Sequence, residues 1–211
     1  MHAYINKYKY ARYRFFKWKY ELPFAHKVCL SLLMACLTGM GAQMRLYLPF
    51  TPVPITGQVF FVLLSGILLG RWFGGLSQGF YVGIGAIGIP WFAGWRGGIS
   101  VLMGVTGGYI IGFIVVAFLI GHLTEQYIKA RTLVALLPLL IGGVCLIYLL
   151  GALQFSIIMG TGLQETFMLA VLPFIPLDLG KAVGVALVGK AIIPKEAYNG
   201  ERDRKRWEVR E

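Results

Sequence analysis

The 211-residue sequence predicts an all-α integral membrane protein of six transmembrane helices with both termini cytoplasmic. Three observations lead there. Hydrophobic residues make up 57% of the chain and charged residues only 14%, where soluble domains carry about a quarter charged residues. Mean hydropathy is +0.70. The apolar residues also gather into six runs, at about 25–44, 55–70, 73–89, 104–122, 134–158 and 169–193, near the roughly 20 residues that a bilayer-crossing helix needs. Six such spans leave short loops and no room for a large extramembrane catalytic domain. Three Cys are too few for a disulfide scaffold.

Taken in order, residues 1–24 come first, with KYKYARYRFFKWKYELPF alternating basic and aromatic side chains. They lack the apolar core and cleavage site of a signal peptide. Rings at headgroup level and cations toward anionic lipid make this an interfacial segment of the lipid bilayer. Residues 25–193 form the six-helix membrane domain, in which the second and third spans are short and nearly fused. Residues 194–211 form a charged cytoplasmic tail.

Charge sets the orientation. Of 20 Lys and Arg, seven lie in residues 1–27 and seven in 190–211. Six spans put both tails, Arg71, Lys129 and Arg131 on one side, against Arg45 and Arg96 on the other. The positive-inside rule makes the first side cytoplasmic. A net charge of +11 so close to apolar spans points to the membrane surface and away from nucleic acid.

Cys29 and Cys36 stand seven apart on one helix, about 10 Å in rise, too far for a disulfide. Without a Cys-x-x-Cys or a His partner within a span, no metal site is expected. GIGAIG at 83–88 and GVALVGKA at 184–191 resemble nucleotide loops only as strings. The first lies in an apolar helix with no preceding strand, and the second lacks the required Ser or Thr. No cofactor is expected. Small-residue rows at Gly75, Gly79, Gly83, at Gly180, Gly184 and at Ser31, Ala35, Gly39 predict close helix packing, within the chain or against a partner.

The sixth span begins PFIPLDLGKAVG. Asp178 and Lys181 are three apart and share a helix face. Each costs about 2.5–3.5 kcal/mol at mid-membrane, so neither should face lipid. Pro173 and Pro176 predict that the regular helix starts near Pro176, which puts Asp178 in its first turn, where it complements the helix dipole. With cytoplasmic termini this end lies outside. So do the loop 45–54, with Arg45 and Thr51, and the loop 90–103, with Trp91, Phe92, Gly94, Arg96, Gly97 and Gly98. The polar groups of three distant segments thus converge on a pocket for a small amphipathic molecule with a polar ring and an anionic end. Gln58 and Tyr81 add donors and acceptors just below.

TPVPITGQVFFVLLSGILLG at 51–70, YVGIGAIGIPWFAGWRGG at 81–98, GVTGGYIIGF at 104–113 and VLPFIPLDLGKA at 171–182 together resemble BioY, the biotin-specific S-component of energy-coupling factor (ECF) transporters. The four blocks run in order across about residues 28–192. The resemblance implies a six-helix S-component fold, biotin held near the outer surface and a first loop acting as part of a lid. It carries the family's last-helix Asp and Lys onto Asp178 and Lys181, and its FAG-x-x-GG loop onto Phe92 to Gly98. Leu177 and Trp95 depart from the family pattern, in which Gly is frequent.

Further implications concern partners. ATP would be hydrolysed by two separate ATPase subunits joined by a transmembrane coupling protein, which would grip the first helix at Ser31, Ala35 and Gly39 while the S-component tips in the membrane. The ureido ring of biotin has two N–H donors and a carbonyl, which Asp178 and Lys181 suit, and its carboxylate suits Arg96 with the glycine N–H groups. The swapped arrangement, with Arg96 on the ring and Lys181 on the carboxylate, stays open. Other readings are an S-component for another small vitamin, a solitary biotin carrier, or, at greater distance, an intramembrane enzyme. The enzyme reading lacks motifs such as HExxH or GxSxG. A channel lacks a polar stripe through the full membrane depth.

Overall fold

In the computed structural model, which describes residues 2–204 and the side chains of 7–204, the chain is a helical bundle with one short hairpin. Helix α1 (His2–Glu21) precedes Pro23, whose extended backbone starts α2 (Phe24–Gln43). Strands β1 (Arg45–Leu46) and β2 (Ile55–Thr56) pair antiparallel with Arg45 opposite Thr56. Then come α3 (Gln58–Ala86), the single turn α4 (Ile99–Leu102), α5 (Gly107–Gln126), α6 (Leu133–Met159), α7 (Leu163–Ala170) and α8 (Ile175–Ile192).

Among the described residues, five helical stretches are long and apolar enough to cross a membrane, and one of them, Gln58–Ala86, is two arms. At Gly70 the backbone takes φ 80°, ψ −172°, a region essentially reserved for glycine. The arms fold back antiparallel: Gln78 reaches Ser65 at 3.1 Å and Gln58 reaches Tyr81 at 2.7 Å. The short, nearly fused second and third spans of the sequence are these arms. Glu125, at the end of α5, presses on the turn and accepts the Arg71 N–H at 3.0 Å. A Cβ at Gly70 would lie 2.0 Å from its Oε1.

The tightest helix crossings fall at glycines outside the predicted rows, although Gly75 of those rows does sit close on Phe118 at 3.3 Å. A Cβ at Gly66 would meet the Ala117 carbonyl at 2.7 Å, and one at Gly108 the Leu150 carbonyl at 2.2 Å. In contrast, Gly79, Gly83 and Gly180 have nothing within 4 Å. Four-residue spacing marks a flat face without saying which face is covered.

The last stretch breaks where its prolines require. Val171 leaves helical geometry, Leu172–Phe174 make a 3-10 turn, and α8 begins at Ile175 with Pro176 in its first turn. This matches the predicted start to within a residue.

Both ends of the described chain meet at one end of the bundle. The Tyr8 hydroxyl donates to the Ala191 carbonyl, and Phe16 packs against Tyr198 at 5.6 Å. The segment after α8 folds back more firmly than a free tail. Arg131 is buried, pairs with Glu201 at 2.6 Å and donates to four backbone carbonyls. The Asp203 carboxylate accepts the N–H groups of Ile128 and Lys129. Of the basic residues counted in the tail, Lys205, Arg206 and Arg210 lie outside the described residues.

Gly70→Ala puts a side chain into a glycine-only conformation and onto the Glu125 carboxylate. It should lower stability by about 1–3 kcal/mol, read as a fall in the thermal unfolding midpoint of the detergent-solubilised protein. An unchanged midpoint would mean that the turn is not a constraint.

Candidate functional site

At the end of the bundle opposite α1, a cavity of about 610 Å³ opens between the hairpin loop, the 91–98 loop and α3, α5, α6 and α8. Its walls are mainly apolar and aromatic, including Val53, Ile110, Phe113, Ile147 and Phe174. Its polar groups are few: Thr56, Gln58, Arg96, Thr106, Tyr109, Tyr148 and Asp178.

Asp178 is the buried end of this set, with only 5% of its surface exposed. One carboxylate oxygen accepts from Lys181 Nζ at 2.6 Å, and the other accepts from the Tyr148 hydroxyl at 2.7 Å. Lys181 also donates to the Thr56 carbonyl at 2.5 Å, so the pair on α8 is tied to strand β2. Each carboxylate oxygen has a second lone pair and the ammonium a third proton, so the trio has unused hydrogen-bonding capacity.

Above it, the first loop forms the roof. Val53 and Pro54 line the cavity, whereas Thr51 does not. The Thr51 Oγ1 instead accepts the Val53 N–H at 3.3 Å and holds the loop's turn. Gln58 lines the wall, with its Nε2 donating to the Tyr81 hydroxyl and its Oε1 accepting from Thr56. Tyr81 is fully buried behind Gln58, against Trp91 at 5.5 Å and Phe92 at 5.3 Å. Trp91 donates from Nε1 to the Tyr81 carbonyl. Trp91, Phe92 and Tyr81 therefore brace the wall and are not part of the cavity lining.

Arg96 is exposed at the mouth, with Nε bonded to the Ala93 carbonyl at 3.2 Å. No carboxylate pairs with it among the described residues. The neighbouring glycines shape the loop. Gly94 and Gly98 have φ of 84° and 96°, and Gly97 leaves a Cβ only 2.6 Å from two carbonyls. The Gly98 N–H is already spent on the Gly85 carbonyl at 2.7 Å. Gly98 is thus a turn former and not the anion donor expected of it, and none of the three glycines lines the main cavity.

The face of Ser31, Ala35 and Gly39 is corrected outright as a partner-docking stripe. Ser31 and Ala35 are completely buried, Ser31 Oγ donates to the Phe73 carbonyl at 3.0 Å, and Gly39 backs onto Trp91. Their small size serves the packing of α2 on α3 and on the Trp91 ring, and all three are buried within the chain.

Three residues were not singled out in the sequence. Tyr148 completes the carboxylate's bonding. Tyr109 lines the cavity, with its hydroxyl on the Ala170 carbonyl at 2.5 Å and its ring seated where Gly151 has no side chain. Gln43 fastens the 91–96 loop to α2 by donating to the Trp91 and Phe92 carbonyls and accepting from Arg45 and Trp95. The usable signal was that a buried carboxylate, which only accepts, needs more donor partners than one Lys supplies.

A cavity enclosed by membrane helices, roofed by a loop and floored by a buried ion pair defines a substrate-binding membrane subunit. A crystal structure of the S-component for biotin from an ECF-type ABC transporter superposes with a TM-score of 0.73 at 26% identity, covering 79% of this chain and 89% of that one. A probable biotin transporter BioY of Methanothermobacter thermautotrophicus is 46% identical over 147 residues, 66% of this chain and 94% of the relative. The biotin transporter BioY of Thermotoga maritima is 40% identical over 156 residues, 74% and 89% of the two chains. The BioY family model matches residues 11–197, and the chain belongs to that family. It is a multi-pass membrane protein of the transporter class and not an enzyme.

Tyr148→Phe keeps the ring but leaves one buried Asp178 oxygen without its donor. The expected loss is about 1.5–3 kcal/mol of stability, visible as a lower thermal midpoint before any ligand is added. No shift would show that the hydroxyl contributes nothing to holding the carboxylate.

Proposed function

We propose that the chain binds biotin in the 610 Å³ cavity as the substrate-binding subunit of an uptake transporter. The observation that carries this reading is that buried Asp178 and Tyr148 line the cavity together with Arg96, while Lys181, which is not in the lining, backs the Asp178 carboxylate at 2.6 Å. Biotin has a neutral ring with two N–H donors and a carbonyl, an apolar thioether and chain, and an ionised carboxylate. The cavity has the matching sequence of acceptor and donor, apolar wall, and cation.

The electrostatics favour one direction of the ligand. Lys181 is already neutralised by Asp178 at 2.6 Å, so a ligand carboxylate placed there would meet a like charge as well as the cation. It would also lose its hydration in the most buried part of the site. At the mouth it meets an exposed guanidinium without a carboxylate partner and keeps part of its water. The ureido ring then sits at the Asp178 end, donating N–H to the carboxylate and accepting from the third Lys181 proton. Gln58 and Tyr109 flank it.

Transport is energised, in this reading, by two ATPase subunits and a transmembrane coupling protein, as the ECF family context suggests. Movement of the first loop would widen the entrance, because Val53 and Pro54 line the cavity. Release is aided by anything that pulls β2 from Lys181, since the Thr56 carbonyl is shared between roof and site. The solitary carrier remains the alternative within the class.

The protein purified in detergent should retain biotin, identified by mass spectrometry of the extract, and titrate with it in calorimetry. Asp178→Asn should weaken binding by about tenfold or more, since it turns a donor toward donors and frees Lys181. Glu165→Gln, on α7 and away from the cavity lining, should change little. Retention of riboflavin or thiamine in place of biotin would overturn the ligand while leaving the architecture intact. Unimpaired biotin uptake in an Asp178→Asn, Lys181→Met double variant would overturn the site.

A further inference from the structure

The end of the bundle that carries both chain ends holds a second cavity, of about 840 Å³, remote from the first. Its lining includes Lys19 of α1, Lys27 of α2, Arg71 beyond the Gly70 turn and Glu125 of α5, with Trp72 and Phe73 as apolar wall. Three cations therefore face one carboxylate. That carboxylate is engaged, since it accepts the Arg71 backbone N–H at 3.0 Å and packs on Gly70.

The cations are held and underused. Lys19 is buried, yet its ammonium donates only to the Leu68 carbonyl at 2.7 Å, leaving two of three protons unspent. Lys27 donates to the Tyr20 carbonyl at 2.6 Å and lies over the Tyr20 and Phe73 rings. The Arg71 guanidinium lies over Trp72 at 5.5 Å. Among the described residues, none of the three is within ion-pair distance of a carboxylate. Burial lowers the Lys19 pKa to about 8, a cost that a bound anion would offset.

We propose that this cavity binds the phosphate headgroup of an anionic phospholipid from the leaflet against which α1 lies. Charge favours an anion, because the lining carries two net positive charges. The apolar flank favours one with a hydrocarbon chain: Trp72 is 64% exposed and Phe24 73% exposed, beside the cavity on the outer surface of the bundle. Phe24 stacks edge-on with Phe73 at 5.9 Å, so ring surface runs from the cavity wall to the lipid-facing side. Basic pockets at the cytoplasmic ends of membrane helices recognise headgroups by this combination of point charges and adjoining apolar surface. The site shares no lining residue with the biotin cavity, so it stands or falls independently of it.

The test is native mass spectrometry of the full-length protein in detergent with added dioleoylphosphatidylglycerol, dioleoylphosphatidylcholine or inorganic phosphate. The expected result is a one-to-one phosphatidylglycerol adduct favoured over phosphatidylcholine and reduced about tenfold or more in Lys27→Gln, Arg71→Gln. Thermal melting of the variant checks its fold. If the double variant melts early, Lys27→Gln alone carries the same expectation in direction, because Lys27 lies at the rim. Equal retention of the two lipids, or an undiminished adduct in a folded variant, overturns the proposal. Displacement of phosphatidylglycerol by millimolar phosphate overturns the lipid assignment in favour of a free-anion site.

Discussion

The cavity end of this molecule depends on holding two charges, Asp178 and Lys181, within an apolar bundle. Neither residue is tolerable alone in that place, and an isolated pair would still leave lone pairs and protons unsatisfied. The structure answers with three separate elements: α6 supplies the Tyr148 hydroxyl, β2 supplies the Thr56 carbonyl, and the first turn of α8 supplies the positive end of a helix dipole. The result links the roof to the helix floor through one ammonium. A ligand that competes for any one of these bonds acts on the loop as well as the pocket, which gives binding a direct route to a change of shape.

The second constraint is glycine at the places where helices cannot otherwise meet. Gly70 turns the chain back on itself, and Gly66 and Gly121 let α3 press against α5 until backbone meets backbone. This close approach holds Gln58 and Tyr81 in register across the two arms. It also brings the turn within reach of Glu125 at the far end. The same hairpin therefore positions a wall of the Asp178 cavity and part of the lining of the Lys19 cavity, so the two ends of the molecule share a rigid element.

The apolar runs, the break near Pro176 and the pairing of Asp178 with Lys181 were legible in the sequence because each follows from a local rule. Such rules concern span length, proline geometry and the i, i+3 face of a helix. What escaped was partnership. Ser31, Ala35 and Gly39 have the spacing of a docking stripe, and Gly75, Gly79 and Gly83 that of an internal one. The first face is covered by the chain itself, while Gly79 and Gly83 are uncovered. Small-residue spacing is identical in the two cases, and only the tertiary arrangement decides which side of a helix meets another. Tyr148 escaped for a related reason: a single Tyr in an apolar run has no periodic mark, and its role exists only because Asp178 faces it from thirty residues away.

The roles of the 91–98 loop follow from the same distinction between chemistry and support. Phe92, Trp91 and the three glycines carry the strongest sequence signal in the loop, yet they spend their hydrogen bonds and volume on fixing it. Gly98 gives its N–H to Gly85, Trp91 its indole N–H to Tyr81, and Phe92 fills the space opposite Gly85. Arg96 is the only charged side chain in this segment, and the loop presents it at the mouth of the cavity. A motif of this kind is dense because holding one flexible cation at a defined place beside a cavity takes several rigid neighbours. Its conspicuous residues set the geometry, and Arg96 is left without a carboxylate partner among the described residues.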